Sequence, residues 1–319
     1  MTQELLQKMV LAGWIIGTVG AACAQDYPRK SIRIVTVDPG GNGDFTARLI
    51  ALGLTASMNQ TIIIENRPSG VIPPEIVARA TPDGYTLLVY NNGFWIKPLL
   101  EKTTYDPVRD FAPVTMTHRA PNILVVNPAL PIKSVKDLIA LARSRPATLN
   151  YSSSSGGSAS HLAGQMFKDM AGVNIVWVPY KGDGPAIIAL LGGEVQLMFA
   201  SAASVAPHVK SGRLRALAVT GTQPSLLVSD LPTMAAAALP GFELVTFTGV
   251  FAPAKTPAVI VDRLNQHIVR YVQQPDVKEK IFNAGGEAVG STTTQLAEAM
   301  KADMERTGRI IKSAGLNSQ

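Results

Sequence analysis

The residues best suited to chemistry lie in glycine- and serine-rich loops. One such loop, Gly40-Gly41-Asn42-Gly43-Asp44, follows a β-branched segment and precedes a helical pattern. Glycines let backbone N–H groups approach an anion, and a helix N-terminus favours negative charge. The loop is therefore a candidate anion-binding site. A tight turn in which Asp44 caps the helix is the alternative explanation of the same pattern.

The loop over residues 152–161 has the composition of a second anion site. Its hydroxyl groups and backbone amides can donate several hydrogen bonds to a carboxylate. The loop is therefore a candidate carboxylate-binding site. An ordinary helix cap is the alternative.

The same loop approaches a catalytic motif. Gly156-x-Ser158-x-Ser160 resembles the nucleophile elbow of hydrolases but lacks its last glycine. His161 is adjacent to Ser160, and neighbouring residues of a helix do not face each other. Ligand binding is therefore preferred, and a serine hydrolase built on Ser158 and His161 stays an alternative. No catalytic residue is assigned.

Two further loops follow predicted strands. Residues 180–186, Tyr-Lys-Gly-Asp-Gly-Pro-Ala, lead into a helix with Pro185 near its first position. Lys181 can neutralise a ligand charge or stay a solvated surface residue. After residue 90, the rings of Phe94 and Trp95 either line a pocket or pack in the core. The chain has few aromatic residues, and this scarcity favours the pocket for Trp95. Asn91, Trp95 and Lys181 are candidate ligand-binding residues.

A dinucleotide site is a weaker interpretation of the first loop. Gly41-x-Gly43 follows a strand, and Glu65 ends the next strand near the spacing of a ribose contact. However, Thr46 replaces the third glycine, and Asp44 would repel a pyrophosphate. No cofactor is predicted.

Composition excludes several other classes of protein. The 319 residues carry a net charge of +6, with the positive residues scattered rather than clustered. Nucleic-acid binding is therefore not supported. No metal site is predicted, because the four histidines are isolated from one another. Cys23 is the only cysteine, so a chain that begins after it has no disulfide and no catalytic thiol.

The N-terminus has the pattern of a secretory signal peptide. Lys8 precedes an apolar run over residues 9–22, and Ala22-Cys23-Ala24 is a small-x-small cleavage pattern. We expect cleavage after Ala24 and a periplasmic protein. An uncleaved membrane anchor and a lipoprotein acylated at Cys23 are the alternatives, although Gly20 stands where a lipobox normally has leucine.

Alternating strands and helices are expected to position these loops. Apolar, β-branched runs predict strands, and periodic patterns predict helices between them. The predicted strands are 32–37, 61–64, 85–90, 123–126, 149–152, 175–178, 195–199, 214–219 and 244–252. The predicted helices are 45–57, 73–80, 134–143, those from Ser160 and Pro185, 257–274 and 293–313. This order predicts a parallel sheet with right-handed crossovers.

Two similar β/α units predict two lobes joined by more than one strand. The predicted segments are a leader over 1–24, lobe one over 25–122, lobe two over 123–222, and a crossover that returns to lobe one over 223–319. Each lobe supplies two of the four candidate loops. Open α/β sheets bind ligands at the carboxyl ends of their strands, so we expect the loops to face one cleft.

Several short motifs occur together along the chain. They are Tyr27-Pro28-Arg29-Lys30, Pro39-Gly40-Gly41-x-x-Asp44-x-x-Ala47-Arg48, Glu65-Asn66-Arg67-Pro68, Pro82-Asp83-Gly84-Tyr85-Thr86-Leu87-Leu88, Tyr105-Asp106-Pro107, Pro179-Tyr180-Lys181-Gly182-x-Gly184-Pro185-Ala186 and Gly212-x-Leu214-Arg215-Ala216-Leu217-Ala218-Val219-Thr220. In this order they resemble the Bug-type solute-binding proteins, the receptors of tripartite tricarboxylate transporters.

The resemblance implies an α/β, type II periplasmic-binding-protein fold with two Rossmann-like lobes, a hinge and a central cleft. It implies a receptor, not an enzyme, that closes on a small carboxylate and delivers it to membrane transporter subunits. The glycine and serine loops then hold the ligand largely by backbone amides and ordered water. By position, the resemblance gives this role to Gly40, Gly41, Asp44, Ser153, Ser155, Gly156, Ser158, Gly182, Gly184 and Ala186. We expect a monomer. A receptor for a membrane sensor kinase would use the same binding chemistry and stays an alternative.

The sequence departs from the family pattern at three places. They are Val37-Asp38, the loop over residues 68–73, and Phe199-Ala200-Ser201, which lacks the usual aspartate after the phenylalanine. Loss of an acid from the pocket suits a ligand without an amino group. The resemblance therefore favours a dicarboxylate or an aromatic carboxylate, with Trp95 as a stacking surface.

Overall fold

A computed structural model of the chain describes residues 27–39, 42–68, 70–153, 158–225, 228–313 and 315. The predicted leader and four candidate site residues, Gly40, Gly41, Ser155 and Gly156, lie outside this set. Among the described residues, no helix is long and apolar enough to cross a membrane.

Helices surround a ten-stranded mixed sheet. The strands are β1 (Ile32–Thr36), β2 (Ile62–Asn66), β3 (Thr86–Asn91), β4 (Phe111–Val126), β5 (Asn150–Ser153), β6 (Val176–Pro179), β7 (Leu197–Ser201), β8 (Arg215–Val219), β9 (Val245–Pro253) and β10 (Glu287–Ala288). The helices are α1 (Asn42–Met58), α2 (Ile72–Ala78), α3 (Gly93–Leu100), α4 (Val135–Ser144), α5 (Ala159–Ala171), α6 (Asp183–Gly192), α7 (Ala202–Lys210), α8 (Met234–Ala237), α9 (Ala258–Val272), α10 (Pro275–Asn283) and α11 (Thr293–Ser313).

The first half-sheet consists of β2, β1, β3, β9, β10 and the first part of β4. Strands β2, β1 and β3 are parallel, and β9 runs antiparallel between β3 and β4. Ile34 and Val35 of β1 are both fully buried although they point to opposite faces, because helices cover the sheet on both sides. Because β1 and β3 are parallel, their carboxyl ends lie at the same edge of the sheet.

The second half-sheet consists of β5, β6, β7, β8 and the last part of β4. Strands β7, β5 and β6 are parallel, and β4 pairs antiparallel with both β7 and β8. The carboxyl ends of β5, β6 and β7 thus share one edge and lead into α5, α6 and α7. The predicted lobe boundaries stay predictions.

Strand β4 connects the two half-sheets, and the sequence predicts only its last four residues correctly. It has 16 residues, of which Phe111–Pro121 pair with β9 and Asn122–Val126 with β7. Pro113, Arg119 and Pro121 interrupt the apolar pattern in its first part. The prediction of a parallel sheet is also wrong at the centre, where β4 and β9 run antiparallel to their neighbours.

An aromatic cluster lies beneath the first half-sheet. The ring of Phe94 lies 4.7 Å from that of Phe251 and 5.0 Å from that of Phe111. Tyr105 donates a hydrogen bond from its hydroxyl to the carbonyl of Phe94 at 2.7 Å. Edge-on packing of this kind stabilises a core beyond the area that it buries.

Helix α11 packs against α3 and β4 and against α5, so it contacts elements beside both half-sheets. Its bounds agree with the predicted helix over 293–313. Ser134 caps α4 as predicted, because its hydroxyl accepts a hydrogen bond from the N–H of Asp137 at 3.1 Å. The sequence prediction misses α3, α7, α8 and α10. Pro98 lies within α3 and Pro207 within α7.

Candidate functional site

The predicted loops meet at a cavity of about 240 Å³ between the two half-sheets. We call it the cleft cavity. Its lining residues are Asn42, Asn91, Ala120, Asn122, Ala159, Ser160, Asp183, Phe199, Ser201 and Thr246. They come from all four loops that the sequence singles out and from the central strands. The expectation that these loops face one cleft is therefore met.

Helix N-termini surround the cleft cavity. Asn42 and Asp183 are the first residues of α1 and α6, Ala159 and Ser160 begin α5, and Ser201 is the N-cap of α7. The first N–H groups of a helix have no partner within it, and the helix dipole places partial positive charge there. None of the described lining residues is Lys or Arg. The cavity can therefore bind an anion through backbone dipoles rather than through basic side chains.

Asp44 fixes the first loop through its side chain. It is 5% exposed, and its carboxylate accepts hydrogen bonds from Arg48 at 3.0 Å and from Asn66 at 2.8 Å. Asn66 also donates to the carbonyl of Val37 at 2.7 Å. Asp44 is the third residue of α1, so the expectation of an N-cap is wrong. Its carboxylate faces protein partners, which makes it a support of the loop.

Asn91 and Trp95 have different environments. Asn91 lines the cleft cavity, and its side-chain oxygen accepts a hydrogen bond from the N–H of Gly93 at 2.9 Å. Trp95 is fully buried, and its indole N–H donates to Asp303 at 2.8 Å. This placement corrects the expectation that Trp95 is a stacking surface for the ligand. The ring belongs to the aromatic cluster.

The described part of the serine loop is held by an aromatic stack. The hydroxyl of Ser153, fully buried, accepts a hydrogen bond from the indole N–H of Trp177 at 2.8 Å. The rings of Trp177 and His161 are stacked with centroids 4.0 Å apart. Burial, together with the positive charge of Lys168, lowers the pKa of His161, so the ring is neutral at pH 7.

Ser158 caps α5 rather than presenting itself to an imidazole. Its hydroxyl accepts a hydrogen bond from the backbone N–H of His161 at 3.3 Å and lies 3.0 Å from the hydroxyl of Ser160. The faces of the His161 ring are stacked between Trp177 and Tyr151. This geometry fits the helix-cap interpretation of the loop and gives no support to a hydrolase.

The loop over residues 180–186 contributes backbone more than side chains. Gly182 is the N-cap of α6 with φ of 109°, a conformation that favours glycine. Gly184 has open space where a Cβ would stand. Ala186 is buried, and its carbonyl accepts a hydrogen bond from Ser152 at 3.3 Å. Lys181 is exposed and lies outside the cleft lining.

Of the ten lining residues, Asn91 alone is among the predicted ligand-binding residues. Four of the others, Asn42, Ala159, Ser160 and Asp183, lie in the predicted loops but are not singled out there. The other five are strand residues: Ala120, Asn122, Phe199, Ser201 and Thr246. Register brings strand residues together, because Ala120 is opposite Thr246 and Asn122 is opposite Ser201. Long-range antiparallel pairing of this kind leaves no local signal in the sequence.

A second cavity of about 260 Å³ adjoins the first. We call it the side cavity. Asn91, Ala159 and Thr246 line both cavities. The remaining lining residues come from α3, α5, α11 and the approach to β9: Asn92, Gly93, Ile96, Ser158, Leu162, Leu244, Asp303 and Thr307. Among the residues that the structure describes, no group of three His, Cys, Asp or Glu side chains is placed to hold a metal.

A family model, a curated relative and solved structures all match this chain over most of its length. The model of the tripartite tricarboxylate transporter family receptor, TctC, matches residues 46–316. Protein BugT of Bordetella pertussis is 33% identical over 321 residues, which cover 98% of each chain. A structure of Rpa4515 from R. palustris with adipate is 36% identical, with a TM-score of 0.75, covering 91% of this chain and 99% of that one.

A second solved structure from Rhodopseudomonas palustris, MatC with bound malate, is 29% identical. Its TM-score is 0.72, and the match covers 89% of this chain and 100% of that one. These similarities extend over nearly the whole length of every chain compared.

Proposed function

Because the chain belongs to the tripartite tricarboxylate transporter receptor family, we propose that it captures a dicarboxylate or an aromatic carboxylate for a transporter of that type. Its α/β fold is that of the periplasmic binding proteins, as the family resemblance implies. Proteins of this family are solute-binding receptors and not enzymes. The class of ligand and the transporter partner are the parts that we infer.

The convergence of helix N-termini on the cleft cavity carries the proposal. Helices α1, α5, α6 and α7 all begin there, and the described lining offers no basic side chain. Fixed backbone dipoles in a partly enclosed cavity stabilise a carboxylate without the desolvation of a lysine or arginine. Two relatives whose structures hold adipate and malate support a carboxylate as the ligand class.

The position of the cavity suits capture by closure. Its lining comes from both half-sheets, and β4 and β9 pass beneath it. A ligand held by groups on both sides stabilises the arrangement in which the two sides are close, because it binds that arrangement more tightly. Such a closed form is what a membrane partner can distinguish from the empty receptor.

Residues 1–24 have the pattern of a leader that is removed on export. A mature receptor of residues 25–319 would then meet its ligand in the periplasm as a monomer. Delivery to the membrane subunits is tested by uptake of labelled ligand into vesicles that contain them. Uptake that does not depend on the receptor would contradict the transport role and favour a sensor.

Ligand screening of the mature protein tests the binding role. Calorimetry and thermal unfolding are measured with malate, adipate, benzoate, aspartate and glutamate. A ligand at 100 times its Kd stabilises the fold by about 2.7 kcal/mol, a rise of roughly 2–4 °C in Tm for each kcal/mol. We expect binding among the plain carboxylates. Tight binding of aspartate or glutamate, with none of the plain carboxylates, would overturn the proposed ligand class. Binding of none of the five compounds would overturn the proposal that the protein is a carboxylate receptor.

A further inference from the structure

We propose that the side cavity is a subsite for an uncharged apolar part of the ligand, so that the preferred ligand is a monocarboxylate with an alkyl or aryl body. This inference rests on the proposed function, because the carboxylate of the same molecule lies in the cleft cavity. It keeps a carboxylate as the ligand but favours one carboxylate over two, because it assigns an uncharged body to the other end of the ligand.

Apolar side chains from three elements face the side cavity. Ile96 of α3, Leu162 of α5 and Leu244 before β9 are at most 8% exposed and line it together. The cavity holds about 260 Å³. An apolar cavity of roughly 150 Å³ is enough to bind benzene in another protein. The side cavity therefore has the size and the lining for a phenyl ring or a short alkyl chain.

Two polar side chains that line the side cavity, Asn92 and Asp303, are already engaged by the protein. The side-chain amide of Asn92 donates to the carbonyl of Val245 at 3.2 Å and to Asp303 at 3.1 Å. Asp303 also accepts from Trp95 at 2.8 Å and from Arg306 at 3.0 Å. A ligand that enters this space meets these satisfied polar groups beside the three apolar side chains that line the cavity.

Charge in the side cavity disfavours a second carboxylate. Arg306 is paired with both Asp303 and Glu243, so the cluster of these three side chains carries a net negative charge. Neither cavity is lined by Lys or Arg among the described residues, and each has one aspartate in its lining, but Asp183 of the cleft cavity is exposed whereas Asp303 is 2% exposed. A second carboxylate beside the buried Asp303 would lose its hydration and meet a like charge, which is unfavourable. An uncharged body has no such penalty.

The two cavities are arranged for one ligand that spans both. Thr246 lines both cavities, whereas Leu244 lines only the side cavity. Asn91 and Ala159 also border both spaces. Each methylene group buried beyond this border is expected to raise affinity roughly fourfold.

Hexanoate and adipate test the inference, because they have the same carbon chain and differ only at the second end. Their Kd values for the mature protein are measured by calorimetry at pH 7. We expect hexanoate to bind at least tenfold more tightly than adipate. Equal affinities, or tighter binding of adipate, would overturn the subsite. Binding of neither these nor any other carboxylate would instead contradict the proposed function.

Two leucine variants locate the effect. Leu244→Ala removes an apolar side chain of the side cavity and is expected to weaken hexanoate at least fourfold while leaving adipate within twofold. Leu239→Ala is the control, because Leu239 is similarly buried at 6% and lines neither cavity. Thermal unfolding confirms that both variants fold. Equal weakening of both ligands by Leu244→Ala would contradict the proposal. If that variant does not fold, the affinities of the wild-type protein for hexanoate and adipate still test the proposal.

Discussion

The two half-sheets contribute to the cleft in different ways. On the first half-sheet, polar side chains near the cleft are bound to one another, as in the Asp44–Arg48–Asn66 group and the Asn92–Asp303 pair. On the second half-sheet, hydroxyl groups cap helices whose first N–H groups face the cavity. The first side is built mainly as a frame and presents one helix N-terminus, that of α1, whereas the second side presents three, those of α5, α6 and α7.

This difference separates residues that hold the site from residues that contact the ligand. A side chain whose hydrogen bonds are satisfied within the protein gains little by turning to a ligand. The backbone amides at helix N-termini still have donors to offer. We therefore expect substitutions on the first half-sheet to change stability, and substitutions on the second to change ligand affinity as well.

Asp303→Ala is expected to break the frame and have the largest effect. Asp303 is 2% exposed and accepts hydrogen bonds from Trp95, Asn92 and Arg306. Its removal leaves the indole N–H of Trp95 without an acceptor and takes one partner from Asn92 and one from Arg306, each of which keeps one other acceptor. We expect the free energy of unfolding to fall by about 3–5 kcal/mol, measured by urea unfolding.

Asp276→Ala is the matched control for that variant. Asp276 is paired with Lys280 four residues later, at 3.2 Å, on the surface of α10. Exposed pairs of this kind are worth about 0.3–0.5 kcal/mol. If the two aspartate variants lose similar stability, the buried network does not have the framing role that we assign to it.

Gly164→Ala and Gly53→Ala compare packing beneath the two half-sheets. A Cβ on Gly164 would lie 2.1 Å from the ring of Tyr151, and one on Gly53 would lie 2.3 Å from the ring of Tyr271. Tyr151 is fully buried and cannot move aside, so overpacking is expected to cost about 1–3 kcal/mol.

Tyr271 is half-buried and can rotate towards solvent. Alanine also favours a helix by about 1 kcal/mol over glycine, so Gly53→Ala is expected to lose much less stability. Both variants are measured by thermal unfolding. A larger loss from Gly53→Ala would reverse the order predicted from burial.

Lower pH is expected to destabilise the fold through His118. Burial lowers the pKa of His118 from its ordinary 6.5 to about 4. As the pH falls from 6.5 towards 4, the unfolded chain binds a proton that the folded chain does not. The free energy of unfolding therefore decreases by about 1.4 kcal/mol per pH unit in that range.

Urea unfolding at pH 7.0 and 5.5 measures this effect. His118→Gln, which keeps a donor and an acceptor but does not titrate, is expected to lose about 1 kcal/mol less than the wild type between these pH values. The same pH dependence in both proteins would show that other groups are responsible.

Ser201→Ala and Ser134→Ala give the smallest effects and the sharpest separation of roles. Both serines cap a helix, but only Ser201 lines the cleft cavity. Loss of a cap costs about 1 kcal/mol, so both variants are expected to lose similar stability. Only Ser201→Ala should weaken carboxylate binding, by roughly fivefold for one lost hydrogen bond. If calorimetry gives Ser201→Ala and the wild type equal affinities for the carboxylate, Ser201 does not contact the ligand.

Local patterns in the sequence predict the elements and the cleft loops well. The periodicity over 293–313 gives α11, and Ser134 gives the start of α4, because both signals lie within a few residues. The strands before the glycine and serine loops are found for the same reason. Their meeting at one cavity follows from the rule that ligands bind at the carboxyl ends of strands.

Long-range contacts account for what the sequence does not predict. Trp95 is a plausible pocket wall until its partner Asp303, 208 residues away, is known. Asn122 and Thr246 line the cleft only because of the register of β4. Neither pairing leaves a local pattern, and Pro113 and Pro121 within β4 argue against a strand.

Strand β9 has a consequence for the order in which the protein can fold during synthesis. It pairs Phe251 with Leu88 and Thr246 with Ala120, so the first half-sheet cannot close until the ribosome has made residue 253. The strands of the second half-sheet all lie between residues 122 and 219 and are available earlier. Such distant contacts form slowly. A nascent chain therefore keeps the edges of β3 and β4 open through most of translation, which leaves it suited to transport in an unfolded form and exposed to aggregation.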